Sequence, residues 1–199
     1  MAEGGEYDDH AGFEPELPID WLEPALLGDG LPGRLGLTIL PGKQGISFRY
    51  PGRVYRRDLD RDIALLRADG VLRLILLVED GELKHWSDPG IVERGSAGGV
   101  EVLRHPIPDG RAPGSMAEMT RILQEIREAR ATADVAVACM GGVGRTGTVA
   151  ACALVEGGMT ADEAIATVRV VRHPTAVETV EQERFVRSFS AERQGDDRS

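Results

Sequence analysis

Val135-Ala-Val-Ala138 runs directly into Cys139-Met-Gly-Gly-Val-Gly-Arg145-Thr146-Gly147, and the chain from Thr146 to Val155 is small and apolar on every side. The first run predicts a strand buried on both faces, and the last predicts a helix buried in the core. The loop between them holds three glycines, Gly141, Gly142 and Gly144. Glycine takes backbone conformations that L-residues avoid. Successive N–H groups of such a loop can converge into an anion nest. The N-terminus of the following helix adds partial positive charge at the same point. Arg145 supplies a planar fork suited to two phosphate oxygens. Cys139 stands at the start of the ring, where positive potential lowers a thiol's pKa. A thiolate facing a bound phosphate is set for in-line displacement through a phosphocysteine intermediate. A nucleotide-binding P-loop would end in Gly-Lys-Ser/Thr, and that ending is missing.

Outward from this loop, segments of strand and helix period alternate. Leu35 to Leu40 predicts a strand stopped by Pro41-Gly42. Asp58 caps a helix to Ala68, with Leu59, Ile63 and Leu66 on one face, and Gly70 ends it. Leu72 to Val78 is an almost continuous apolar run and predicts a second buried strand. A short helix is expected over Gly81 to Trp86 and a strand over Val100 to Arg104. Ser115 and Thr160 cap helices to about Ala131 and Val171, and a last helix spans about Glu178 to Ala191. Strands separated by helices imply an α/β fold, with a largely parallel central sheet flanked by helices. Ligands of such sheets bind beyond the carboxyl ends of the strands, where the Cys139 loop falls.

The 199 residues fit one domain with tails. Residues 1 to about 30 are acidic and rich in Gly and Pro, and are expected to form a disordered tail. The domain is expected over 31–193, with a frayed end over 194–199. A hydrophobic fraction of 42% suffices for a core. The formal net charge of -10 argues against a general nucleic-acid binder, while leaving room for a locally positive pocket. Cys139 and Cys152 make neither a disulfide framework nor a zinc site, so no metal or cofactor is expected. Met1 to Pro18 has six carboxylates and no Lys or Arg, unlike a signal peptide. No apolar stretch approaches the roughly 20 residues that span a bilayer. A cytoplasmic monomer without a membrane partner is the default expectation.

The run Cys139 to Gly147 resembles the C-x5-R-[ST] signature of protein-tyrosine and dual-specificity phosphatases. The resemblance extends over roughly residues 35 to 190. Leu35 to Lys43, Asp58 to Leu66 and Leu77 to Leu83 are similar to the kinase-associated phosphatase branch. It implies a phosphotyrosine-phosphatase-like fold and hydrolysis of phosphoproteins or phosphopeptides. By resemblance, Cys139 is the nucleophile and Arg145 the anchor, with Met140, Gly141, Gly142, Val143 and Gly144 completing the phosphate loop. Thr146 would bond the cysteine sulfur, or simply satisfy a helix-start N–H. Asp109, in His105-Pro-Ile-Pro-Asp109-Gly-Arg-Ala-Pro113, matches the general-acid loop, which must supply a proton to the leaving oxygen. Gln182 resembles the late glutamine that orients the hydrolytic water, though by itself it reads as an exposed helix residue. One departure stands out. The family usually places His before the cysteine, and here Ala138 stands there. A higher thiol pKa and slower turnover are expected from its loss. A phosphoprotein-binding module without turnover is the alternative that Ala138 supports. The loop interior holds no Lys, which favours a singly phosphorylated substrate: phosphotyrosine, or phosphoserine and phosphothreonine. Cys152 is expected to pack in the core.

Overall fold

The computed structural model describes residues 16–47, 49 and 51–196. Its main sheet contains β1 (Ile19–Leu22), β2 (Leu35–Ile39), β5 (Val71–Leu76), β6 (Glu101–Arg104) and β7 (Asp134–Cys139). Their order is β1-β2-β7-β5-β6. All neighbours are parallel except the edge pair β1 and β2. A separate antiparallel hairpin joins β3 (Gln44–Ile46) to β4 (Val54–Arg56). The nucleophile strand β7 is therefore the central strand. Its partners Leu37, Leu74, Ile75 and Leu76 are buried, as are Val135 to Ala138. Burial on both faces explains why β7 reads as a continuous apolar run.

Helices α1 (Pro24–Leu27), α2 (Leu59–Ala68), α3 (Asp80–Trp86), α4 (Ile91–Ala97), α5 (Met116–Arg130), α6 (Gly144–Glu156), α7 (Ala161–Val171) and α8 (Val180–Asp196) surround the sheet. They pack as two groups, α2 with α4, and α5 through α8 around α6. Caps expected from the sequence are made. Asp58 accepts from Arg61 N at 2.8 Å, and Ser115 accepts from Glu118 N at 3.1 Å. Thr160 and Glu163 close a capping box. Every residue of α6 from Gly144 to Val155 is buried. Its Gly, Ala and Cys side chains let α7 and α8 approach closely.

The structure corrects two boundaries. Residues 19–27 were expected in the acidic tail, yet β1 pairs with β2 in the register Ile19↔Thr38 to Leu22↔Leu35. Leu22 and Leu27 lie in the core. The Gly- and Pro-rich surroundings masked a four-residue strand whose pattern is too short to show period two. The remaining expected tail, residues 1–15, lies outside the described residues. At the other end, α8 continues to Asp196, into the stretch expected to fray. The hairpin β3–β4 and helix α4 also escaped the sequence reading. Their strands are three residues long and exposed Gln44, Ile46 and Arg56 break any alternation.

Because Leu22 is fully buried on an edge strand, Leu22→Ala should destabilise the domain by about 2–5 kcal/mol. Urea unfolding would measure it, and a null effect would return residue 22 to the tail.

Candidate active site

The loop after β7 owes its shape to contacts on its outer side. Lys43 Nζ donates to the Met140 carbonyl at 3.1 Å. Arg172 Nε donates to the Gly142 carbonyl at 2.8 Å, and its Nη2 reaches the Gly141 carbonyl at 3.3 Å. Asp20 of β1 steadies Arg172 through Nη1 at 2.5 Å. Three successive carbonyls are thus held outward. Across a trans peptide the C=O and the next N–H point in opposite directions. The N–H groups of Gly141, Gly142 and Val143 therefore point away from the side chains that hold those carbonyls, and the N–H groups of Val143 and Thr146 bond the Cys139 sulfur. Gly142 has φ of 64°, and a Cβ there would lie 2.4 Å from the Thr38 carbonyl. Only glycine fits that crossing of the loop over β2.

Cys139 ends β7 and is 3% exposed. Burial raises its pKa. Arg145, the Thr146 hydroxyl and the backbone N–H groups of Thr146 and Val143 more than offset that, leaving the thiol below its ordinary value. The Thr146 hydroxyl is buried with no hydrogen-bond partner among the described residues, and it contributes to holding the Cys139 thiol down. Thr146 makes no helix-start cap.

Arg145 is almost completely buried. Its Nη1 and Nη2 each lie 2.7 Å from a Glu82 carboxylate oxygen, a bidentate pair. Nη1 also donates to the Ile107 carbonyl at 2.9 Å. Nη2 reaches Asp109 Oδ1 at 2.9 Å. Burial lowers the Arg145 pKa, but the hydrogen bond and charge of Glu82 raise it further, so the guanidinium is a fixed cation. Glu82 was not singled out from the sequence, because a carboxylate in the first turn of α3 reads as a capping residue. It is that too: Glu82 accepts from Glu79 N at 2.9 Å.

Asp109 lies in an exposed turn before α5, with its side chain 83% exposed. The turn is held by the start of α8. Thr179 Oγ1 donates to the Gly110 carbonyl at 3.0 Å, and Gln182 Nε2 donates to the Arg111 carbonyl at 3.0 Å. Gln182 is fully buried, contrary to its reading as an exposed helix residue. Its Oε1 accepts from Glu178 N at 2.9 Å. Val177, at φ of 59°, takes a conformation rare for a β-branched residue, which costs about 1–3 kcal/mol. It is buried, and its N–H reaches the Val143 carbonyl at 3.4 Å. Val177 thus ties the segment before α8 to the phosphate loop.

A cavity of about 330 Å³ opens here, with Cys139, Met140, Gly141, Val143 and Arg145 as its floor. Its walls carry Lys43, Arg49, Arg53 and Arg172 against Asp109 and Glu178. The loop interior lacks Lys as the sequence showed, but distant segments deliver cations to the mouth. The protein's acidity does not extend to this surface. Cys152 is buried in α6, where burial pushes its thiol up and keeps it protonated. Among the described residues no group of His, Cys, Asp and Glu is placed to hold a metal ion. Also among them, no helix is long and apolar enough to cross a membrane.

A buried cysteine in an amide nest with a fixed arginine defines a phosphate-processing thiol site, and comparisons with known proteins agree. Residues 53–159 match the model of a polymorphic-toxin-system DSP-PTPase phosphatase family. Cyclin-dependent kinase inhibitor 3 of Rattus norvegicus is 30% identical over 163 residues, covering 78% of this chain and 71% of that one. Its Homo sapiens counterpart is 28% identical with the same coverage. Among solved structures, the active form of Tk-PTP is 32% identical with a TM-score of 0.64, covering 80% of this chain and 92% of that chain. Kinase-associated phosphatase with its catalytic cysteine replaced by serine superimposes with a TM-score of 0.78 at 24% identity, covering 90% and 97%. The chain belongs to the cysteine-dependent protein-tyrosine and dual-specificity phosphatases, in the kinase-associated phosphatase-like branch. It is a phosphoric monoester hydrolase of the cysteine type.

Thr146→Val should move the midpoint of Cys139 alkylation to higher pH, because it removes one contribution that lowers the thiol pKa. Iodoacetamide inactivation rates measured from pH 5 to about 9 would show the shift. An unmoved midpoint would remove Thr146 from the sulfur's environment.

Proposed function

We propose that this protein removes single phosphate groups from phosphoproteins, with phosphotyrosine the best substrate and phosphoserine or phosphothreonine slower ones. The observation that carries the reading is the buried Cys139 thiol held below its ordinary pKa by Arg145, Thr146 and the loop N–H groups. The substrate's phosphate sits in the nest of Met140 to Gly144, clasped by Arg145. The Cys139 thiolate attacks phosphorus, the S–P bond forms and the P–O bond to the substrate breaks. Asp109 gives its proton to the departing oxygen. Water then attacks the phosphocysteine, Asp109 takes a proton from it, and the S–P bond breaks to release phosphate and restore the thiolate. The Thr146 hydroxyl stabilises the sulfur as it leaves.

Gln182 acts in the second half of this cycle. In the present arrangement its Nε2 is committed to the Arg111 carbonyl, so it holds the general-acid loop in place. The second N–H of that amide is left to orient the attacking water. The preference for phosphotyrosine rests on the burial of Cys139 at the floor of the cavity, which a longer side chain reaches more readily. The basic walls favour acidic residues flanking the phosphorylated one. The domain that performs this begins by Ile19, since β1 holds Arg172 through Asp20. It acts as a monomer in the cytoplasm in this reading.

Hydrolysis of p-nitrophenyl phosphate and of phosphopeptides tests the assignment. Cys139→Ser and Arg145→Ala should each abolish turnover. Asp109→Asn should slow phosphoserine peptides by roughly 10²–10⁴-fold, the usual worth of a general acid. It should slow p-nitrophenyl phosphate much less, because nitrophenolate leaves without a proton. Full activity of Cys139→Ser would sink the mechanism. Tight peptide binding with no wild-type turnover would favour the phosphoprotein-binding module.

A further inference from the structure

Lys43 is a buried cation that the mechanism above does not use. It follows β2, its residue is 7% exposed, and among the described residues no carboxylate pairs with it. A buried ammonium without a counter-ion is costly, and such groups mark sites that receive an anion. Its three donors are only partly spent: Nζ bonds the Met140 carbonyl at 3.1 Å and lies 4.1 Å from the Tyr55 ring centroid. The ring face and the carbonyl fix the ammonium in the wall of the cavity whose floor is Cys139.

We propose that Lys43 is the second cation of the phosphate pocket, whose charge in the cavity wall favours an anionic group in the cavity and the Cys139 thiolate. This inference rests on Cys139 being the nucleophile. The charges facing Lys43 decide how it behaves. From the loop, the Cys139 thiolate attracts it. From the segment linking β3 to β4, Arg49 repels it, while Tyr55 of β4 offers only its ring. Farther along the mouth, Arg172 adds positive potential, burial and the nearby Arg49 and Arg172 keep His173 neutral, and Glu178 is paired with Arg49. Burial, then Arg49, push the Lys43 pKa down to about 8, against the raising effect of the thiolate. Since the shift favours the neutral amine, the cation is present below about pH 8 and lost above it. A bound phosphate supplies the missing counter-ion and restores it.

Alkylation separates this role from a structural one. Iodoacetate carries a negative charge and iodoacetamide does not, while both report the same thiolate. Cys152 is buried and protonated, so it does not confuse the readout. In the wild type the ratio of iodoacetate to iodoacetamide rates should fall as pH rises from 7 to about 9.5. Lys43→Met should lower that ratio about tenfold at pH 7 and make it independent of pH, with Lys43→Arg restoring most of it. A variant that shifts both rates equally, or a ratio unchanged in Lys43→Met, would overturn the inference. If Lys43→Met does not fold, Lys43→Gln is measured in its place, and an iodoacetate-to-iodoacetamide ratio equal to that of the wild type at pH 7 overturns the inference. Failure of both reagents to modify wild-type Cys139 would instead remove the nucleophile and, with it, this role for Lys43.

Discussion

Everything in the site depends on turning successive peptide N–H groups toward one point. Such an arrangement is unfavourable without an anion, because like partial charges converge and the opposing carbonyls must find partners elsewhere. Here Lys43 and Arg172 hold the carbonyls of Met140, Gly141 and Gly142 from outside. Cations on the outer face and amides on the inner face both raise the local potential. The sulfur at the centre answers that potential by ionising below its ordinary pKa, despite complete burial. The missing histidine before the nucleophile is therefore one contribution removed from several. Ala138 packs in the core between β2 and β5, where its small side chain suits the close strands.

The second requirement is that Arg145 stay in place before substrate arrives. An unpaired guanidinium in the core would be severely destabilising. Glu82 removes that problem with a bidentate contact that also fixes the plane of the fork. Removing one partner of a buried pair costs about 3–5 kcal/mol, so Glu82 serves both stability and orientation. Asp109 differs in kind. It reaches the same guanidinium from an exposed turn, at a distance of 2.9 Å, and its backbone is tied to α8. The loop is anchored through Thr179 and Gln182, while its exposed carboxylate is held by Arg145.

Most of the fold and the centre of the site were legible in the sequence because they rest on local signals. The apolar run of β7, the glycines and the buried small-residue α6 follow from period, volume and backbone freedom. The Asp58, Ser115 and Thr160 caps follow from side-chain chemistry over three residues. What the sequence did not reveal depends on tertiary meeting. Glu82 lies 63 residues before Arg145, and nothing local distinguishes it from a capping carboxylate. Lys43 and Arg172 lie 97 and 30 residues from the carbonyls they hold. β1 is an edge strand completed by pairing, not by its own pattern. Gln182 reads as a surface residue until the turn at 109–111 folds over it.

The central claim is that Cys139, made a thiolate by this nest, carries the phosphoryl group between substrate and water. Acid quench of the enzyme turning over a phosphorus-labelled aryl phosphate, followed by peptide mapping, tests it most directly. The account predicts transient label on Cys139, absent in Cys139→Ser and longer-lived when Gln182 is replaced. Turnover without any covalent label, or label on another residue, would contradict it.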